Sequence, residues 1–355
     1  MKIMKRLSIL ILLYSCAGPT NPFGGDIFIS ESFEIDDTIA ISKNINFSVY
    51  PEKQYYNSPY DMKIHIKDPD FEISKFRYEI IYNHKKLNRW FKSEVINFPE
   101  DRNKPIEITF KNLSILPGNI NKIAFLYYPA NAKRPIIHHL EIPDCFKEHQ
   151  ESNLFIYPFK VSTNIIDKIN DYALKYQYNP SLIAALIAQE SSFNTKTVSR
   201  AWALGLTQVT PIAHQEIQKI KTQWPIFPNF ENLSLRTIKN HLKSDVINAK
   251  NDWRLDTGKS IEGGILYLDY IKSYWSTPDK QDILASTFFQ RIPEVDILLA
   301  SYNSGAYRVK KSIIDNGEQW LFDKKLKEAR KYVMKIKSYC YAFNNNELQG
   351  NDHEK

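Results

Sequence analysis

The sequence predicts two units, an N-terminal antiparallel β-sandwich followed by an all-α domain. Three observations carry this expectation. Apolar residues recur with period two from about Ile27 to Pro143, and at helical spacing from Asn164 onward. The 355 residues also exceed one domain of ordinary size. Hydrophobic residues at 43% and charged residues at 25% supply both a core and a soluble surface.

The strands come first. Ile45, Phe47 and Val49 alternate with polar partners in INFSV, as do Met62, Ile64 and Ile66 in MKIHIKD and Ile106, Ile108 and Phe110 in IEITF. Turn signals separate the runs, among them PEDRNKP and LPGN (Leu116 to Asn119). Short strands at this spacing predict a sandwich over residues 29–143. The stretch ITFKNLSILPGNINKIAFLYY (Ile108 to Tyr128) resembles an immunoglobulin-like or fibronectin-like domain. His138 and His139 in IIHHLEI fall on opposite faces of a strand and cannot chelate one metal together.

Residues 144–163 read as an interdomain linker, and the helices follow over 164–345. NIIDKINDYALKYQ is one amphipathic helix. Asn179 offers an N-cap and Pro180 a first-turn residue for the next. Near the end, Phe322, Leu326, Ala329, Val333, Ile336 and Cys340 recur at helical spacing. The lysines between them are therefore the solvated face of a packed helix. Residues 346–355 lack apolar anchors and read as a flexible tail.

At the N-terminus, Lys2, Lys5 and Arg6 precede the apolar stretch Leu7 to Leu13, the order of a secretion signal. The stretch is far shorter than the roughly 20 residues that span a bilayer. LYSC resembles a bacterial lipoprotein signal. That resemblance implies cleavage after residue 15, a lipid anchor on Cys16 and a linker over 16–28. With Ala17 rather than Asp after the cysteine, it implies the periplasmic face of the outer membrane. Cleavage removes three cations and no acid, lowering the net charge from +7 to +4. So mild and diffuse an excess is compatible with an anionic polymer and does not argue for nucleic acid, so no nucleic-acid partner is expected. Cys145 and Cys340 are then left, either bridged or buried as separate thiols.

The stretch IAALIAQESSFNTKTVSRAWALGLTQVTP (Ile183 to Pro211) raises the chemical question. On a helix from Pro180, Ile183, Ile187 and Glu190 share one face, so the stripe that enters the core carries an acid with it. Burial and the helix C-terminus both disfavour its charged form, which suits a general acid. A glutamate turned to solvent, or paired with a lysine at the helix end, is the alternative.

QESSFNTKTVSRAWALGLTQVTP resembles the signature of lytic transglycosylases of the soluble-lytic-transglycosylase, lysozyme-like superfamily. Glu190, Ser191, Phe193, Asn194, Ser199, Gly205, Leu206, Gln208 and Pro211 stand at its places. SIEGGILYLDYI, LLASYNSGAYRV and EARKYVMKI resemble three later blocks of that family, in order, so the likeness covers about Asn164 to Tyr341. It implies an all-α lysozyme-like domain that cleaves the β-1,4 bond between N-acetylmuramic acid and N-acetylglucosamine in peptidoglycan glycan strands. Glu190 would protonate the leaving oxygen and then accept the proton of the muramic C6 hydroxyl as that oxygen closes on C1. The product is a 1,6-anhydro sugar, and the substrate's own hydroxyl removes the need for the second carboxylate of ordinary glycosidases.

By the same resemblance Ser191, Ser199, Gln208 and Asn303 would bind substrate, and Tyr302 would bind beside Glu190 and orient it. No metal and no organic cofactor is implied. Thr207 replaces a usual methionine at the sugar site. Trp202 stands where glycine is common, and either packs over the loop or stacks on a sugar. The long segment Ile212 to Lys259, with Trp224 and Trp253, could line distal subsites. Two rivals stay open. One is a hydrolytic muramidase drawing a second acid from Asp252 or Asp256; the other is a non-catalytic wall-binding lipoprotein. The sandwich either binds a protein partner or spaces the enzyme from the membrane. HExxH, GxxxxGK and GxSxG patterns are absent.

Overall fold

The computed structural model describes residues 45–343 except 51–59, 83–84, 87–93, 100, 102–103, 114–115, 131–134, 142–144, 146–153, 155 and 289–291. The expected signal stretch, Cys16, the start of the expected sandwich span and the expected tail lie outside the described residues, as do the side chains of His138 and His139.

Among the described residues, eight strands form two antiparallel sheets. One has the order β1 (Asn46–Tyr50), β2 (Tyr60–Lys67), β6 (Ile106–Leu113), β5 (Glu94–Asn97). The other has β4 (Lys85–Lys86), β3 (Arg77–Tyr82), β7 (Lys122–Tyr128), β8 (Ile136–Glu141). Alternation decides which side chains enter. Ile64 and Ile66 of β2 and Ile106, Ile108 and Phe110 of β6 are buried, and share one core with Ile80, Phe125 and Tyr127 of the other sheet. On the outward positions of the same strands, Glu107 accepts from His65 at 3.0 Å and pairs with Lys63 at 3.5 Å. A buried acid ties the sheets, since the Tyr127 hydroxyl donates to Asp68 at 2.6 Å. Burial and that bond push the Tyr127 pKa strongly upward.

The helical unit begins with α1 (Thr163–Lys175), whose Ile165, Ile169 and Ala173 face inward. Next come α2 (Pro180–Ser191), α3 (Pro211–Ile220), α4 (Leu235–Lys243), α5 (Thr257–Trp275), α6 (Pro278–Thr287), α7 (Glu294–Ser304), α8 (Ala306–Asn316) and α9 (Lys327–Phe343). The helix α2 is apolar all round and buried over Pro180 to Ala188, as an all-apolar helix must be. Helices α9 and α1 pack against it, and α5 and α7 contribute to the same core.

One sequence expectation is corrected here. Phe322 is half exposed beneath Arg330, whose guanidinium lies 4.4 Å from the ring, and is not part of the buried stripe. The helix starts only at Lys327, after a 3-10 turn that Asp323 caps, so Phe322 is out of phase with Leu326, Ala329, Val333, Ile336 and Cys340. The stretch expected as a linker packs on the helical unit where it is described. Ile156 and Phe159 lie against the helical core, and Cys145 is bonded to Cys340.

The C-terminal half of α9 meets the two sheets. Tyr341 enters the β-core, and Tyr339 fills the space beside Gly118 in the β6–β7 turn, where a Cβ would approach its ring to 2.2 Å. The Gly118 φ of +68° suits glycine as well.

Candidate active site

Local sequence places the acid. The Asn179 side chain accepts from the Ser181 amide at 2.9 Å and Pro180 occupies the first turn, so α2 starts where its donors are satisfied. Eleven residues later Glu190 stands in the last turn, before Ser192 and Phe193 reverse the chain at φ +51° and +64°. Ile183 and Ile187 are buried beneath it.

Burial raises the Glu190 pKa to about 7, against the opposing effect of a hydrogen-bond partner. That partner is Tyr332 on α9, whose hydroxyl donates to Oε1 at 2.5 Å. Such a bond favours the ionised carboxyl, but desolvation outweighs it. The acid is thus poised to hold a proton near neutrality and release it to a bound oxygen.

Tyr302, expected to lie close to Glu190 and help orient it, donates to the Thr207 carbonyl at 2.7 Å. Its pKa is raised by burial and next by the Glu190 charge, so the two side chains are neighbours without sharing a hydrogen bond. Tyr332 was missed as a site residue, although it stands in EARKYVMKI at the tyrosine of the fourth block. The position of that tyrosine in the block was the signal available.

The loop between α2 and α3 is built from its own polar side chains. Ser199 Oγ accepts from the Ala201 and Ala203 amides, each at 3.1 Å. Gln208 Nε2 donates to the carbonyls of Thr197 at 3.0 Å and Gly205 at 2.8 Å. Both therefore hold loop shape. Gly205 sits at φ +85°, and a Cβ there would fall 1.9 Å from the Arg254 carbonyl oxygen. Ser191 does not face a cleft: it is fully buried and donates to the Ile187 carbonyl one turn back. Asn303 is exposed at the end of α7 and accepts from Ser304.

The departures from the family pattern resolve into packing. Thr207 is buried, donates to the Ser260 carbonyl at 2.8 Å and fills the space left by Gly264, so it does not floor an open site. Trp202 packs on the long segment and donates to the Leu233 carbonyl. Trp253 is fully buried, donating to His214 Nδ1 and packing on Trp224, so it lines no subsite. Burial pushes the His214 pKa down to about 4.

The two acids proposed for a hydrolytic site are committed elsewhere. Asp252 is fully buried and accepts from Arg254 Nε at 2.9 Å and Nη2 at 2.7 Å. Asp256 caps α5 by accepting from the Lys259 amide at 2.8 Å.

The geometry amounts to a half-buried, protonatable carboxyl at a helix end with a self-braced loop beside it. Residues 167–229 match the family model of the transglycosylase SLT domain, and the matched span carries Glu190, Ser199 and Gln208. Among solved structures, the chain is similar to an inactive mutant of the lytic transglycosylase Slt from Pseudomonas aeruginosa. That match has 19% identity and a TM-score of 0.33, and covers 50% of this chain and 23% of that one. It is also similar to the 70 kDa soluble lytic transglycosylase of Escherichia coli, at 21% identity and a TM-score of 0.34, covering 51% and 24%. The same enzyme in complex with bulgecin A matches equally. The chain thus spans about a quarter of the length of these enzymes.

Proposed function

We propose that this chain is a peptidoglycan lytic transglycosylase in which Glu190 is the single general acid and base. The observation that carries the reading is the Glu190 carboxyl itself, half-buried, raised to about 7 and held by Tyr332. Protonated Glu190 gives its proton to the glycosidic oxygen as the bond to the muramic C1 breaks. The resulting carboxylate takes the proton of the C6 hydroxyl, whose oxygen closes on C1. The anhydro product leaves with the carboxyl reprotonated and no water consumed. That Asp252 and Asp256 are occupied in structural roles supports cyclisation over hydrolysis, which needs a second carboxyl.

The test is mass spectrometry of muropeptides released from purified peptidoglycan by the native chain and by Glu190→Gln. Anhydro-muropeptides from the native chain alone agree with the proposal. Products heavier by one water would instead make it a muramidase, and no release by folded native protein would leave a wall-binding protein.

Two further parts of the reading concern the N-terminal half. The antiparallel unit is an immunoglobulin-like spacer or partner-binding module, supported by two sheets sharing one core. Cys16 carries a lipid that holds the chain at the periplasmic face of the outer membrane. Metabolic labelling with radioactive palmitate, lost in Cys16→Ser, tests the anchor.

A further inference from the structure

Tyr270 carries a ring for which neither the core nor the acid accounts. It lies on α5, is 42% exposed, and stacks on Tyr267 with centroids 5.9 Å apart and planes at 11°. Tyr267 in turn packs edge-on against Tyr302 at 5.2 Å, and Tyr302 feels the charge of Glu190. A file of three rings therefore leads from the acid to the surface. The neighbouring helix α3, which starts as the Gln208 loop ends, sets Ile212, Glu216 and Lys219 at i, i+4 and i+7 along one face. Ile212 is 74% exposed, and Lys219 pairs with Glu216 at 2.7 Å. Helices α3 and α5 pack together, which brings Glu216 and Lys219 into the neighbourhood of the Tyr267–Tyr270 pair.

We propose that Tyr270, flanked by Glu216 and Lys219, is an outlying saccharide subsite, taking a pyranose ring of the glycan strand beyond those at the scissile bond. The inference rests on the reading of the chain as acting on peptidoglycan. The exposed face of Tyr270 matches the apolar C–H face of a sugar ring, because an aromatic presents a broad rigid surface at little entropic cost. Glu216 accepts from ring hydroxyls. Lys219 donates to the acyl or carboxylate oxygens that muramic acid and its peptide carry. Stacking on Tyr267 fixes the Tyr270 ring before a ligand arrives, which limits the ordering cost of binding.

Binding is tested in the Glu190→Gln background, which leaves strands intact, with insoluble purified peptidoglycan and with chitohexaose. Tyr270→Ala is expected to weaken both about three- to tenfold, and Tyr270→Trp to keep them. Leu174→Ala, at an exposed apolar position on α1, is expected to bind as the parent does. Matching thermal melts establish that each variant folds. Equal binding by Tyr270→Ala and the parent overturns the subsite. The catalytic reading fails separately: if the native chain releases no anhydro-muropeptide while Tyr270→Ala still loses binding, the lyase falls and the subsite stands.

Discussion

Replacing Tyr332 with phenylalanine removes one oxygen and leaves the ring packing of a core position intact. The lost bond is the 2.5 Å donation to Glu190, which favours the charged carboxyl. A hydrogen bond to a charged group contributes about 1.5–3 kcal/mol, and one pKa unit corresponds to about 1.4 kcal/mol. The acid, already near 7, therefore rises by about one to two units. In the proposed mechanism the protonated form acts, so the rate should fall as pH rises through this pKa. The alkaline limb of the profile should move from about pH 7 to about pH 8 or 9 in Tyr332→Phe. Initial rates of peptidoglycan solubilisation across pH 5 to 10, with thermal melts at each pH, give the measurement. A carbon-13 titration of labelled glutamate side chains follows the same proton without relying on turnover. An alkaline limb that stays in place, or moves toward acid, would refute the claim that Tyr332 stabilises the ionised acid.

Glu190→Gln should abolish anhydro-muropeptide release and also stabilise the fold above neutral pH. The folded pKa is raised from 4.5 to about 7. The native protein therefore loses stability as pH climbs through that window, by up to ~3 kcal/mol. Denaturant unfolding at pH 5 and pH 8 should show the variant gaining only at the higher value. Reduction of the Cys145–Cys340 bond, which joins residues 195 apart, should destabilise the chain by about 5 kcal/mol on the loop-entropy account, read from melts of the Cys145→Ser, Cys340→Ser double variant. Asp252→Ala strands a buried Arg254 charge and should cost about 3–5 kcal/mol in unfolding free energy. Unchanged stability would mean the pair is solvated. Gly205→Ala should lower activity and melting temperature together, because its Cβ meets the Arg254 carbonyl at a φ of +85°; wild-type behaviour in both would contradict that geometry.

Much of the helical unit was legible in one dimension. Asn179 and Pro180 announce where α2 starts, and the apolar run to Ala188 announces that it is buried, because capping and burial depend on local chemistry. The Glu190 placement follows from the same period, so sequence alone marked the acid and the face it shares with Ile183 and Ile187. The strands around Ile64, Ile106 and Ile108 were equally plain, since alternation is a local signature of a half-buried sheet. Contacts between residues far apart were not. Tyr332 lies 142 positions from Glu190 and reaches it only because α9 packs along α2. Ser199 and Gln208 look like ligands in a motif, yet the fold commits much of their hydrogen bonding to the backbone of their own loop. Asp252 looks like a spare acid until Arg254 is seen buried against it. Periodicity and caps determine which residues enter the core. Only the tertiary structure decides which polar groups meet there, because each buried donor and acceptor must find a partner, and the nearest one in space is often remote in the chain.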